Sequence, residues 1–132
     1  MESLVDRPNH YCAEGLMVAD LCEIWKLDHY HQLCSAIEYI FRCNKKGSKI
    51  LDLEKSSWWI KRYLDKRFQD PYKPLNFSKI NKDFHPAIAC RKYELEKELS
   101  TVVCLIVVNG KSKEALSLLN SYIEALKQSH SS

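Results

Sequence analysis

The sequence predicts an all-α fold of about five helices, forming two αα-hairpins joined by a long proline-containing loop. Apolar residues recur at three- and four-residue spacing along most of the chain. Only Val102–Val108 is β-branched enough for a strand, and no partner strand is visible. Glycine and proline are few, three and four in all, which leaves long stretches without a breaker. At 132 residues, one domain is the expectation: a helical core over 1–68, a loop over 69–85 and a C-terminal hairpin over 86–132.

Residues 1–15 carry Pro8, Asn9, His10, Tyr11 and Gly15 without helical period and read as an arm or loop. A first helix is expected from Leu16 to Lys26, apolar on most sides, with Asp20 its exception. A second, His29 to Cys43, has the cleanest period through Tyr30, Leu33, Cys34, Ile37, Ile40 and Phe41, with Asp28 placed to cap it. Its other stripe is His31, Ser35, Glu38 and Arg42. After the turn Asn44-Lys45-Lys46-Gly47-Ser48-Lys49, a third helix runs to about Phe68, with Leu53, Ser57, Ile60, Leu64 and Phe68 as its core stripe. The loop from Gln69 to Phe84 holds Pro71 and Pro74 and is a lid candidate. Pro86 opens a fourth helix to about Val108, Asn109-Gly110 stops it, and Ser112 starts a fifth with Ala115, Leu116, Leu119, Tyr122, Ile123 and Leu126 on one face. The aliphatic C-terminal hairpin has no chemistry of its own, so packing or self-association, a symmetric dimer by base rate, is its expected role.

With 45% hydrophobic and 28% charged residues the chain belongs with soluble globular proteins. The longest apolar run is far short of the roughly 20 residues of a membrane span, and no secretory signal is visible, which places the protein in the cytoplasm. The six cysteines contain no C-x-x-C pair and read as buried thiols. His29, His31 and Cys34 lack the spacing of a zinc site, so no metal is assigned. The net charge is only +3, yet residues 44–67 hold eight basic and three acidic side chains beside an acidic N-terminal third. A phosphate-bearing partner would favour the middle of the chain, whereas the modest total disfavours nucleic acid. No P-loop, nucleophile elbow or H-E-x-x-H motif exists. The nearest substitute for a phosphate loop is the basic turn Lys45–Lys49 leading into a helix N-terminus. On the third helix Asp52, Lys55, Trp59, Arg62 and Lys66 form a second stripe, in which a base can stack on an indole and phosphates can pair with cations. A packing role for Trp58 and Trp59, with solvent-facing cations, is the alternative.

Asn9-His10-Tyr11, Gly15, Asp20, Ala36-Ile37-x-Tyr39-Ile40-x-Arg42, Lys45-Lys46-Gly47 and Asp52-Leu53-x-Lys55-x-x-Trp58-Trp59-Ile60-x-Arg62 resemble the SaV-like domain-of-unknown-function family of small phage proteins, over about residues 8–64. That family includes a phage nucleotide kinase without a P-loop. The resemblance implies a nucleotide-binding protein in the host-cell cytoplasm, with nucleoside monophosphate kinase activity in at least one branch and a nucleoside triphosphate as phosphate donor. It implies a catalytic set of His10, Asp20 and Arg42, and a nucleotide-binding set of Tyr11, Tyr39, Lys46, Asp52, Lys55, Trp58 and Arg62, to which the basic turn adds Lys45 and the second stripe of the third helix adds Trp59. Arg42, Lys46, Lys55 and Arg62 would hold phosphates, Tyr11 with Trp58 or Trp59 would stack on the base, and Asp20 or His10 would orient the acceptor. Met17, Ser35 and Glu38 stand where the family usually has an acidic residue, asparagine and lysine, departures that bear on phosphotransfer more than on binding. The alternative is a non-enzymatic phage effector that inhibits a host protein or sequesters a signalling nucleotide.

Overall fold

The computed structural model describes residues 17–45, 47–66 and 70–131. Among them are six α-helices and no strand: α1 (Val18–Ile24), α2 (His31–Arg42), α3 (Lys49–Asp65), α4 (Pro86–Lys92), α5 (Lys97–Val107) and α6 (Ser112–Ser131). The all-α class and both hairpins are as the periodicity indicates. α2 packs along α3, α5 packs along α6, and α6 lies against α3, so the two hairpins share one core.

α1 is short because the chain turns left-handed at Lys26 (φ 63°), where the Leu27 N–H reaches back to the Cys22 carbonyl at 2.7 Å. This six-to-one closure is a Schellman ending made without glycine. Just beyond the helix, Trp25 is fully buried, and its indole N–H donates to the Phe84 carbonyl at 2.8 Å. At the other end the Asp20 carboxylate accepts the Met17 N–H at 2.8 Å, as the third residue of a capping box does.

α2 buries Leu33, Ala36, Ile37, Ile40 and Phe41, as its period requires. Asp28 does not cap it: the helix begins after Tyr30 with no side-chain cap, and Asp28 pairs with His29 at 3.8 Å. α3 starts at Ser48, whose hydroxyl accepts the Leu51 N–H at 3.1 Å. The stripe it buries is Asp52, Leu53, Ser56 and Ile60. Ser56, not Ser57, lies on the α2 side, donating its hydroxyl to the Ala36 carbonyl at 2.8 Å. Two small residues meet there, which lets the helix backbones approach. Ser57 is one step round and donates to Asn120 on α6 at 2.6 Å. Leu64 is exposed and α3 ends at Asp65; Phe68 lies outside the described residues.

The expected fourth helix is two. At Glu94 (φ 58°) the chain breaks, the Leu95 N–H returns to the Cys90 carbonyl at 3.0 Å, and α4 folds back against α5. An unbroken helix over residues 86–108 would run roughly 34 Å at 1.5 Å per residue, nearly twice the length of α2. The break keeps Ala89, Cys90 and Leu95 on the core. The β-branched run is helical, with Leu99, Val102, Val103, Ile106 and Val107 fully buried against α6. Those side chains therefore serve the chain's own core.

The proline-containing loop is a strap and not a lid. Tyr72 is buried, donates its hydroxyl to the Trp25 carbonyl at 2.7 Å, and donates its N–H to the Tyr63 hydroxyl at 2.8 Å. Two short 3₁₀ turns, Phe77–Lys79 and Lys82–Phe84, follow, capped by the Asn76 and Asn81 side chains. Pinned on the core at both ends, this segment cannot open without breaking buried hydrogen bonds.

Candidate functional site

The polar stripe of α2 and that of α3 meet on one open side of the first hairpin. Because the helices run antiparallel about the 43–48 turn, Arg42 faces Asp52, Tyr39 faces Lys55, and His31 faces Trp59. The Arg42 guanidinium is 3.4 Å from the Asp52 carboxylate and 4.9 Å from the centre of the Tyr39 ring. Lys55 approaches the same ring at 5.6 Å. One turn further, Arg62 lies 5.5 Å from the Trp58 ring, Trp58 meets Trp59 edge-on at 4.9 Å, and Trp59 meets His31 edge-on at 5.0 Å. Each cation is thus held over a ring, at a strength of about 0.5–1 kcal/mol for exposed pairs.

Burial divides these residues by role. Asp52 is buried in the first turn of α3, where the helix dipole favours a carboxylate, and it orients Arg42, whose side chain is 58% exposed. Trp59 is half-buried against the core, whereas Trp58 is 55% exposed, a large apolar surface to leave in water on a helix that has an apolar face to bury. Lys55 and Arg62 are exposed on the same ridge. Tyr39, Arg42, Asp52, Lys55, Trp58, Trp59 and Arg62 are therefore brought together, seven of the residues the sequence singles out.

Other candidates lie elsewhere. Lys45 turns away and stands 5.7 Å from the Tyr93 ring. The basic turn is tied to the C-terminal half, because Glu96 accepts from the Asn44 amide at 2.9 Å and the Tyr122 hydroxyl at 3.2 Å, and pairs with Lys49. Lys45 and Lys49 are so engaged, and the Leu51 N–H is held by Ser48. Asp20 caps α1. His10, Tyr11 and Lys46 lie outside the described residues.

Two features were not marked as site residues by spacing. His31 belongs to the stripe on α2, and its contact with Trp59 follows only from the hairpin register. Cys34, beside Glu38 with its thiol 3.8 Å from the carboxylate, is held below the ordinary thiol value by a hydrogen bond from Cys22, against burial and the Glu38 charge; the same bond, followed by burial, pushes Cys22 up. Elsewhere, a cavity of about 320 Å³ opens between the strap and the start of α6, lined by Tyr63, Lys66, Pro71, Lys111, Lys113 and Glu114 among others. None of the clustered residues lines it. Among the described residues no group of three or more His, Cys, Asp and Glu is placed to hold a metal ion, and no helix is long and apolar enough to cross a membrane.

No protein-family model, curated protein or solved structure matches the chain. The likeness to SaV-like phage proteins rests on the residues quoted above.

Proposed function

We propose that this is a nucleotide-binding protein of the phage type, working in the host-cell cytoplasm, and that the ligand lies on the open α2–α3 face. A base stacks on Trp58, while Arg42, Lys55 and Arg62 meet its phosphates. The observation that supports this most is the exposed Trp58 with cations before and after it, Arg62 only 5.5 Å from the ring centre. Arg42 is a charge with a fixed direction because buried Asp52 holds it, and a pre-positioned guanidinium binds phosphate with less ordering cost than a free one.

Nucleoside monophosphate kinase activity is the extension of this reading that the family resemblance implies. It requires mainly positioning and charge neutralisation. Asp20, engaged as a cap, is a weak candidate for orienting an acceptor there.

The test is a thermal-shift and calorimetric panel of nucleoside mono-, di- and triphosphates, since a ligand at about a hundred times its dissociation constant adds roughly 2.7 kcal/mol to the folded state. Arg42→Ala and Arg62→Ala should each weaken the best ligand about tenfold; unchanged affinity in both would refute the site. Product formation from a stabilising donor and acceptor pair tests the kinase extension separately. A second reading, an effector docking on a host protein, is favoured by the exposure of Leu51 (49%), two turns before Trp58 on the same side of α3. Stoichiometric capture of one host protein, lost in Trp58→Ala and with no nucleotide effect, would replace the first reading.

A further inference from the structure

Resting on the nucleotide-binding reading, and against the expectation drawn from the modest net charge of the whole chain, we infer that the α2–α3 face takes a nucleoside carrying phosphate on both its 5′ and 3′ sides, as an internal unit of a single-stranded oligonucleotide does.

The argument is the order of groups along the ridge. Lys55, Trp58 and Arg62 are three and four residues apart, so they share one side of α3, with the indole between the two cations. At 1.5 Å per residue Lys55 stands about 4.5 Å before Trp58 along the axis and Arg62 about 6 Å after it. Arg42, level with Asp52, extends the basic side to about 9 Å before Trp58. A nucleoside 5′-phosphate stacked on Trp58 can direct its phosphate chain toward Lys55 and Arg42 or toward Arg62, but not both ways. Whichever way it lies, a cation on the other side is left facing water. An internal nucleotide has a phosphate on each side of its sugar and meets both.

The surroundings agree with a strand that passes through. Trp58 is 55% exposed and Arg42, Lys55 and Arg62 are all exposed, so among the described residues the ridge is open along its length. Tyr39, with Arg42 and Lys55 at 4.9 and 5.6 Å from its ring centre, gathers both cations on the basic side. Aromatic platforms alternating with cations form the usual arrangement for single strands, because every base has a π-face. Of the carboxylates near the ridge, Asp52 is engaged by Arg42 at 3.4 Å, Glu38 lies one turn before Arg42 on α2, Glu54 is paired with Lys127 at 2.8 Å, and Asp65 lies a turn beyond Arg62.

The test compares a nucleoside 5′-monophosphate, the matching 3′,5′-bisphosphate and a pyrimidine dinucleotide with terminal 5′-phosphate, by calorimetry on the full chain at low and moderate salt. The bisphosphate and the dinucleotide are expected to bind at least about threefold more tightly than the monophosphate, with a steeper salt dependence, since each phosphate contact adds about 0.7 to the slope for single strands. Arg62→Ala should remove that preference while still binding the monophosphate, and Arg62→Lys should restore most of it. Arg62 is exposed, so folding of these variants is checked by an unchanged melting curve. Equal affinity for all three ligands would overturn this inference and leave the nucleotide reading standing. No binding of any of them would overturn both and point to an acidic protein partner for the same ridge.

Discussion

Trp58→Ala separates a ligand platform from a packing residue, and the structure sets both magnitudes. In the free protein the indole makes an edge contact with Trp59 and lies under Arg62, contacts of about 0.5–1.5 and 0.5–1 kcal/mol. Alanine is the better helix former by several tenths of a kcal/mol, which offsets part of the loss. The net cost to stability is about 1 kcal/mol, roughly 4 °C in melting temperature for a chain of this size. Losing a base-stacking ring costs about 1–3 kcal/mol in binding, that is about 5- to 150-fold in affinity. Trp58→Phe keeps an aromatic face and should lose much less. Because the substitution removes a fluorophore, calorimetry is the assay, run beside a thermal melt. If Trp58→Ala bound within about twofold of the parent, or melted more than about 10 °C lower, the indole would be a packing group and the site would be misplaced.

Three further outcomes follow from the fold. Ser56→Val places a bulkier side chain where α2 and α3 meet and removes the bond to the Ala36 carbonyl; urea denaturation should show a loss of about 2 kcal/mol or more, against about 1 for Ser56→Ala, and equal losses would mean the helices do not touch there. Gly110 has φ +66° and an added Cβ would meet the Pro74 ring at 3.1 Å, so Gly110→Ala should cost about 1–3 kcal/mol, and a neutral result would show the strap free to move off the α5–α6 turn. Burial pushes the Cys43 thiol up to about 11 and Cys90 up to about 12 from an ordinary 9.0, so the folded chain keeps protons that the unfolded chain releases. Their contribution is therefore complete below pH 9 and is lost as pH rises toward about 11 and 12; the urea midpoint should fall from pH 8 to 10.5, less steeply in Cys43→Ala/Cys90→Ala, and a flat profile would contradict the burial.

Periodicity located the interiors of helices better than their ends. The buried faces of α2 and α6 appear at the expected residues, because many spaced apolar side chains average out local exceptions. α1, α3 and the expected fourth helix each end earlier than their apolar pattern, and two of these ends are left-handed turns at Lys26 and Glu94. Neither residue signals such a turn as glycine would. On α3 the choice between Ser56 and Ser57 was beyond periodicity, since adjacent serines differ only in which neighbouring helix they reach.

The sequence by itself determined the helical class, the two hairpins and a polar stripe on each of α2 and α3. Helical spacing is local, and a short turn forces adjacent helices to lie side by side. Only the tertiary structure decided which candidates share a site. It buried Asp52 under Arg42, left Trp58 exposed while Trp59 packed inward, and turned Lys45 toward Tyr93 and Lys49 toward Glu96 and Tyr122. It also made the proline-containing loop a strap through Tyr72, whose acceptor on Trp25 is 47 residues away in sequence. Such partners meet only when the whole chain has packed, because no local spacing rule links residues that far apart.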